Sequence, residues 1–341
     1  MSSKSLNPSG QVTGYIAPRF NWMVVAFSGW MVGGIHLDAW AHHRIAETLE
    51  TFFTPWHGVL YSGFLALAAL LVGRTLAGVR TGLTWRQATP KGYELSLLGV
   101  ALFMLGGVGD MLWHLAFGIE VNVEARLSPT HLLLALGGSL MVTGPVRAAG
   151  VQGQATLWPA LISLAFLLSL LTFFSAYASP ISDGQLAAGN RLLSEQTASL
   201  LEGKGVAAML LQTLTLMGVV LFAVRRWRLP LGSITLLLGL SSLLTIAAHQ
   251  DWFLLPAVLL TGFLGDAFYA WLGPAPGHLL SLQGFAFLLP VLFYVLYFLT
   301  LQLDGGLWWR VHLWAEATLM AGMASWLLSL LPLESGKSTA S

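Results

Sequence analysis

The sequence predicts an all-α protein, a polytopic transmembrane helical bundle of about ten helices. Of its 341 residues, 56% are hydrophobic and only 9% are charged, whereas soluble domains carry about 25% charged residues. Several apolar runs reach roughly 20 residues, the length of a helix that crosses a bilayer. These runs are too long to be strands of a membrane barrel. The lipid bilayer is therefore the first predicted partner of the chain.

Ten apolar segments justify the predicted number of helices. They cover residues 20–43, 55–78, 92–117, 129–149, 156–178, 205–224, 231–249, 253–272, 277–301 and 310–332. Residues 179–204 are the only long polar connection, and their composition indicates a loop or a short surface helix. The predicted organisation is a repeat region, residues 1–150, followed by further transmembrane helices in residues 151–341.

Charged residues in the short loops indicate the orientation of the helices. The basic residues of two loops are Arg74, Arg80, Arg86 and Lys91, and then Arg225, Arg226 and Arg228. Loops rich in Lys and Arg stay on the cytoplasmic side. The N-terminus is then cytoplasmic, and the acidic connections that contain Glu47 and Glu120 lie on the outer face. For a bacterial protein, this predicts the inner (plasma) membrane with that face toward the periplasm.

Net charge and cysteine content exclude several classes of function. The formal net charge is +1, which gives no basis for a nucleic-acid partner. The chain has no cysteine, so disulfides, iron–sulfur clusters and thiolate metal sites are excluded. Any metal site must use His, Asp, Glu or Met side chains.

One pattern of polar residues occurs twice, in units of about 20–78 and 92–149. The first copy contains, in order, Gly33-Gly34, Asp38, His42 and Thr54-Pro55-Trp56-His57. The second copy contains Gly106-Gly107, Asp110, His114 and Ser128-Pro129-Thr130-His131. Each copy ends in an apolar segment, so each predicts a pair of membrane helices joined on the outer side.

The spacing within each copy predicts a metal site at a helix end. Asp38 and His42 are four residues apart and share one helix face. Thr54 suits an N-cap and Pro55 the first helical position, so His57 falls in the first turn of the next helix. The helix dipole there favours a neutral, metal-binding imidazole. Asp110, His114 and His131 repeat this arrangement. One carboxylate with two imidazoles suits copper, zinc or non-haem iron.

Other residues around the repeat are weaker candidates. His36 and His43 share a helix face and could supply extra ligands or support the ligands from behind. Trp40 and Trp113 lie inside the two motifs and are expected to line the sites. An eroded third copy is predicted near 253–301, where Asp266 is followed by Pro276-Gly277-His278. The first His position of that copy is Ala270, so the pattern does not favour a metal site there.

At these residues the chain resembles the C subunit of the copper membrane monooxygenases, the particulate methane and ammonia monooxygenases. That family carries Asp-x-x-x-His on one transmembrane helix and Thr-Pro-Ser-His at the head of the next. The Asp and both His residues bind copper in the membrane. Asp110, His114 and His131 match this motif, and Asp38, His42 and His57 match it again. The resemblance implies copper, a monooxygenase or other oxidoreductase activity, and association with further membrane subunits.

The chain departs from the family pattern in several respects. The linkers between the two His residues are longer, the motif is doubled, and the chain has more segments. Nothing corresponds to the other two subunits or to the soluble cupredoxin-like portion. The resemblance therefore implies a copper-binding helix pair more directly than it implies methane or ammonia oxidation.

Three other functions stay open at this stage. A copper transporter, homeostasis protein or assembly factor would use the same ligands, although the 10 Met residues form no Met-x-x-Met ladder. A zinc-dependent membrane hydrolase combines His and Asp ligands, but the His-x-x-x-His of the seven-helix hydrolases is absent. A b-type haem is disfavoured by the adjacent carboxylates. The sequence also leaves open whether the two copies form separate sites or one shared site, and whether the chain forms a homo-oligomer.

Overall fold

The computed structural model describes residues 18–45, 53–118, 123–152, 157–182, 186–189, 193–275 and 277–331. Within these ranges the chain is almost entirely helical, and its β structure is an isolated bridge between Ala188 and Leu307. The predicted all-α class is confirmed.

The α-helices are numbered in chain order. They are α1 (Pro18–Arg44), α2 (Pro55–Arg80), α3 (Trp85–Ala88), α4 (Glu94–Phe117), α5 (Glu124–Leu127), α6 (Pro129–Val142), α7 (Gly144–Gln152), α8 (Leu157–Phe174), α9 (Glu195–Arg226), α10 (Ser233–His249), α11 (Leu255–Leu272), α12 (Leu279–Asp304) and α13 (Val311–Leu328). They belong to two compact units. The first unit runs to Tyr177 and includes Leu240–Gln250, and the second comprises Ala178–Gly239 and the chain from Asp251 onward.

Eight helices in the described ranges are long and apolar enough to cross a membrane. They are Pro18–His42, Pro55–Arg80, Glu94–Phe117, Pro129–Val151, Leu157–Phe174, Glu195–Arg226, Trp252–Leu272 and Leu279–Asp304. The remaining two of the ten predicted segments are also helical, as α10 and α13. However, α10 has 17 residues and α13 is not among the eight. The chain is a multi-pass membrane protein.

The start of α9 corrects the interpretation of residues 179–204 as a connection. Ser194 accepts a hydrogen bond from the Thr197 backbone N–H at 3.3 Å and caps the helix. Glu195 follows in the first turn, where a negative charge is favourable. The polar residues 195–204 therefore form the first turns of the long helix α9, which Ser194 caps.

In the first unit, α1 and α2 pack closely enough that two glycines are required. A Cβ on Gly34 would lie 2.6 Å from the Leu60 Cα, and one on Gly63 would lie 2.6 Å from the Met31 backbone nitrogen. A methyl group cannot be accommodated at such distances, so the two backbones are almost in contact. This crossing holds the end of α1 beside the start of α2.

Helices α4 and α6 cross in the same way. A Cβ on Gly106 would lie 3.0 Å from the Leu134 backbone nitrogen, and one on Gly137 would lie 2.6 Å from that of Phe103. Leu60 and Leu134 each follow the second His of their motif by three residues. The repeat in the sequence is thus also a repeat in helix packing.

The other ends of these helices are joined by buried polar contacts. Arg147 donates hydrogen bonds to the Gly92 carbonyl and the Ser96 hydroxyl, each at 2.8 Å. Tyr93 donates to Asn21 Oδ1 of α1 at 2.7 Å. Burial raises the pKa of the Tyr93 phenol, so this group stays protonated and acts as the donor. These contacts join the start of α4 to α7 and to the start of α1.

Candidate metal centre

The Asp38 site lies where α1 ends and α2 begins. Asp38 Oδ2 lies 3.6 Å from His42 Nε2 and 3.4 Å from His57 Nε2. Thr54 accepts a hydrogen bond from the His57 backbone N–H at 3.1 Å, and Pro55 occupies the first helical position. The predicted cap therefore forms and turns His57 toward the end of α1.

The Asp110 site repeats this arrangement where α4 ends and α6 begins. Asp110 Oδ2 lies 3.6 Å from His114 Nε2, and Asp110 Oδ1 lies 3.3 Å from His131 Nε2. Ser128 caps α6 by accepting the His131 backbone N–H at 3.3 Å. The Ser128 hydroxyl also lies 2.8 Å from His131 Nδ1, which orients the ring.

Both sites have ligand atoms at the spacing that a metal ion requires. One atom from each of the three side chains lies within 4.8 Å of the other two. Ligands about 2.1 Å from a tetrahedral ion lie roughly 3.4 Å apart, close to the carboxylate–imidazole distances. The two imidazole rings are 5.9 Å apart in each site, inclined at 59° and 60°. These are the two groups of metal-ligand type found in the described residues.

The backbone determines which nitrogen of His114 faces the site. Its Nδ1 lies 3.2 Å from the Gly118 carbonyl oxygen, which can only accept, so Nδ1 carries the hydrogen. The Nε2 lone pair then faces Asp110 in the neutral ring. Gly118 has φ of +82°, in the region that favours glycine, and this turn brings its carbonyl back toward the imidazole.

The two sites are separate but neighbouring. Each has its own carboxylate and imidazoles, yet the charge of Asp38 interacts with those of Asp110 and His114. Tyr61 interacts electrostatically with both carboxylates. Its ring lies 6.1 Å from that of His57, and a Cβ on Gly107 would lie 2.9 Å from one of its ring carbons. The phenol of α2 thus lies near the helix that carries Asp110.

One hydrogen bond distinguishes the two sites. Thr130 Oγ1 donates to Asp110 Oδ1 at 2.9 Å. Trp56 occupies the corresponding position of the first copy, between the proline and the second histidine. Asp38 Oδ1 is buried and has no hydrogen-bond partner within the described ranges. The first carboxylate therefore keeps a free acceptor that the second does not have.

The weaker candidates lie around the sites, outside the ligand groups. His36 donates through Nδ1 to the Val32 carbonyl at 3.0 Å, and its Nε2 lies 3.2 Å from the Ser169 hydroxyl of α8. The side chain of His43 lies outside the described residues. Trp40 packs edge-on against Trp56 of the same motif, with ring centroids 5.9 Å apart.

Trp113 occupies a different kind of position in the second copy. Its ring packs against Phe117, one turn further along α4, with centroids 4.6 Å apart. The ring of Trp40 thus packs against the next helix, and that of Trp113 packs against its own helix.

The eroded third copy contains a buried aspartate with a different role. Asp266 accepts hydrogen bonds from the backbone N–H groups of Ile234 and Thr235, each at 3.0 Å, and from the Thr235 hydroxyl at 2.6 Å. These backbone groups belong to the first turn of α10, which lacks intrahelical acceptors. Asp266 thus caps α10. Pro276 lies outside the described residues, and His278 is exposed.

Sequence reasoning missed Thr130 and Tyr61. Thr130 stands at the variable position of Pro-x-His, and its hydroxyl was the available signal. Tyr61 lies four residues after His57 and therefore on the same face of α2.

The arrangement of the donor atoms in both sites could hold a metal ion. Each carboxylate faces two imidazole nitrogens, and among the described residues no donor reaches Asp38 Oδ1, which is buried. Comparisons with protein-family models, with curated proteins and with solved structures found no match to this chain. The candidate function therefore rests on the residues and their geometry.

Proposed function

We propose that this protein is an integral membrane copper protein that takes part in oxidation chemistry, as the C subunit of the copper membrane monooxygenases does. The observation that carries the proposal is the same Asp–His–His group, built twice with matching caps, distances and ring angles. One such group could be a hydrogen-bonded helix end. Two groups with the same construction indicate a common ligand.

The cost of burying carboxylates supports a bound cation. The Asp110 side chain is 2% exposed and the Asp38 side chain 15% exposed. Ionisable groups within a membrane helix are expensive unless they are paired. Neutral imidazoles offer only partial compensation, since rings without net charge cannot neutralise a carboxylate. A metal ion between carboxylate and imidazoles would compensate the charge directly.

Copper is proposed for two reasons. Nitrogen and oxygen ligands bind copper(II) more strongly than the other divalent first-row metals, and the motif resembles a copper-binding one. Zinc and iron accept the same ligands and are the alternatives that metal analysis would reveal.

Bound copper would supply one-electron chemistry with oxygen or another oxidant, and the residues of this chain would hold and enclose it. Asp38, His42 and His57 would bind one ion. Asp110, His114 and His131 would bind the other. Thr54 and Ser128 orient the second histidine of each set through the helix caps.

We further propose that the sites face the periplasm of a bacterial inner membrane, with the N-terminus in the cytoplasm. The distribution of basic loops supports this orientation. Other membrane subunits, or a second copy of the chain, are the proposed protein partners.

Metal analysis of the purified protein tests the proposal. We expect two copper ions per chain in the wild type, and one in each of two double variants, His42→Ala with His57→Ala and His114→Ala with His131→Ala. The exposed His278→Ala is the matched control and should retain both ions. Electron paramagnetic resonance would identify copper(II) with nitrogen ligands. A wild-type protein without stoichiometric metal would contradict the proposal. Zinc or iron in place of copper would keep the metal sites and contradict the choice of copper.

A non-enzymatic copper carrier is the second candidate. The observation in its favour is the 36% exposure of the His42 side chain, which gives an ion a route to solvent. Transfer of bound copper(I) to a soluble chelator within seconds would support a carrier. Retention of copper through repeated reduction and oxidation would support the oxidation chemistry.

A further inference from the structure

The two carboxylates face their histidines differently. In the Asp110 site each carboxylate oxygen faces one imidazole, Oδ2 toward His114 and Oδ1 toward His131. In the Asp38 site a single oxygen, Oδ2, faces both His42 and His57. An ion held between the first set of imidazoles would therefore meet Oδ2 alone.

The other oxygen of Asp38 remains a buried acceptor without a donor. Asp38 Oδ1 has no hydrogen-bond partner in the part of the chain that the structure describes. In the second copy the equivalent oxygen accepts from Thr130. A buried acceptor that lacks a donor costs free energy, so such a group calls for an explanation. A ligand that brings its own hydrogen supplies one.

The surroundings of the Asp38 site admit such a ligand. His42 is 36% exposed and its counterpart His114 is 10% exposed, whereas His57 and His131 are 13% and 22% exposed. Trp40 and Trp56, which both lie within the motif, meet edge to face. The exposed His42 gives this site contact with solvent, from which a small polar molecule can enter.

We propose that the Asp38 site binds a small neutral molecule with an O–H or N–H group on its metal ion, with Asp38 Oδ1 accepting the hydrogen bond. The Asp110 site, closed by Thr130, holds its ion without such a ligand. The inference rests on the proposed metal function. It assigns an exchangeable ligand to the ion of the Asp38 site and none to the ion of the Asp110 site.

Two single-site proteins allow the ligand to be observed, with water as the probe. His114→Ala with His131→Ala leaves the Asp38 site, and His42→Ala with His57→Ala leaves the Asp110 site. Each protein is loaded with copper(II) in detergent. Electron–nuclear double resonance in H₂O and in D₂O then detects exchangeable protons on a copper ligand. We expect a strongly coupled exchangeable proton at the Asp38 site, and none at the Asp110 site.

Exchanging the residue types at Trp56 and Thr130 should exchange the water-binding behaviour of the two sites. Trp56→Thr provides Asp38 Oδ1 with the hydroxyl donor of the second copy. It should lower the proton relaxivity of water per copper roughly threefold, because the acceptor is then occupied. Trp56→Phe is the matched control, since it keeps an aromatic ring, adds no hydroxyl and should leave relaxivity unchanged. In the other protein, Thr130→Val should raise relaxivity by a similar factor.

The outcomes separate this inference from the proposed function. Absence of copper from both single-site proteins would contradict the metal function itself. Copper bound at both sites with equal exchangeable-proton signals would overturn only the division between them. A reduction by Trp56→Phe as large as that by Trp56→Thr would overturn the role of Asp38 Oδ1.

Discussion

The first and second units each bury an aspartate next to a glycine-rich stretch of helix, and they satisfy it in different ways. In the second unit, Asp266 accepts three hydrogen bonds from Ile234 and Thr235 at the start of α10. In the first unit, Asp38 and Asp110 face imidazole nitrogens at 3.3 to 3.6 Å. Backbone N–H groups satisfy the hydrogen-bonding capacity of a carboxylate, so it needs no other ligand. Imidazoles leave room for a cation, so the same residue type is structural in one unit and a candidate ligand in the other.

The largest effect that would test this comparison is the loss of metal from the first unit. Asp110→Ala removes one of three ligands, so we expect copper affinity at that site to fall by about a hundredfold or more. Competition with a chelator of known affinity measures it. Asp266→Ala is the control and should leave affinity unchanged. A similar loss of affinity in both variants would mean that the two aspartates do not differ in role.

The second expected effect is a loss of stability in the second unit. Asp266→Ala leaves two N–H groups of α10 without acceptors, so we expect the free energy of unfolding to fall by about 2–4 kcal/mol. Reversible unfolding in mixed micelles measures it. In metal-free protein, Asp110→Ala should cost less, because its partners include two imidazoles that remain hydrogen-bonded to Gly118 and Ser128. An equal cost would show that Asp110 is also chiefly structural.

The smallest expected effect concerns how the first unit brings its ligands together. A Cβ on Gly34 would lie 2.6 Å from the Leu60 Cα, whereas nothing lies within 4 Å of one on Gly33. Gly34→Ala should therefore lower the free energy of unfolding by about 1–3 kcal/mol and weaken copper binding at the Asp38 site. Gly33→Ala should be neutral or slightly stabilising, because alanine favours a helix. Equal behaviour of the two variants would contradict the close crossing of α1 and α2.

Much of the site was predictable because its parts are local. Asp38 and His42 lie one helical turn apart, and Thr54 and Pro55 determine where α2 begins. These relations depend on helix periodicity and capping, which neighbouring residues encode. The ligand groups Asp38–His42–His57 and Asp110–His114–His131 assemble as the spacing predicts.

The parts that were not predictable depend on contacts between distant residues. Asp266 follows a glycine-containing stretch as Asp38 and Asp110 do, but its partners in the first turn of α10 lie more than 30 residues away in sequence. The start of α9 at Glu195 is an exception, because its Ser194 cap is local and was available in the sequence. His36 lies two residues from Asp38, yet it turns toward Ser169 of α8.

The sequence by itself determined the membrane class, the doubled helix pair and the three candidate ligands of each site, because hydropathy, periodicity and caps are properties of short segments. Only the tertiary structure decided that the two ligand groups are separate and close enough to interact, and that one carboxylate is closed by Thr130 while the other keeps a free oxygen. The physical reason is that hydrogen-bond satisfaction depends on which helices meet. In the Asp38 site, the close crossing of α1 and α2 brings both imidazoles to Asp38 Oδ2 and leaves Oδ1 without a hydrogen-bond partner among the described residues.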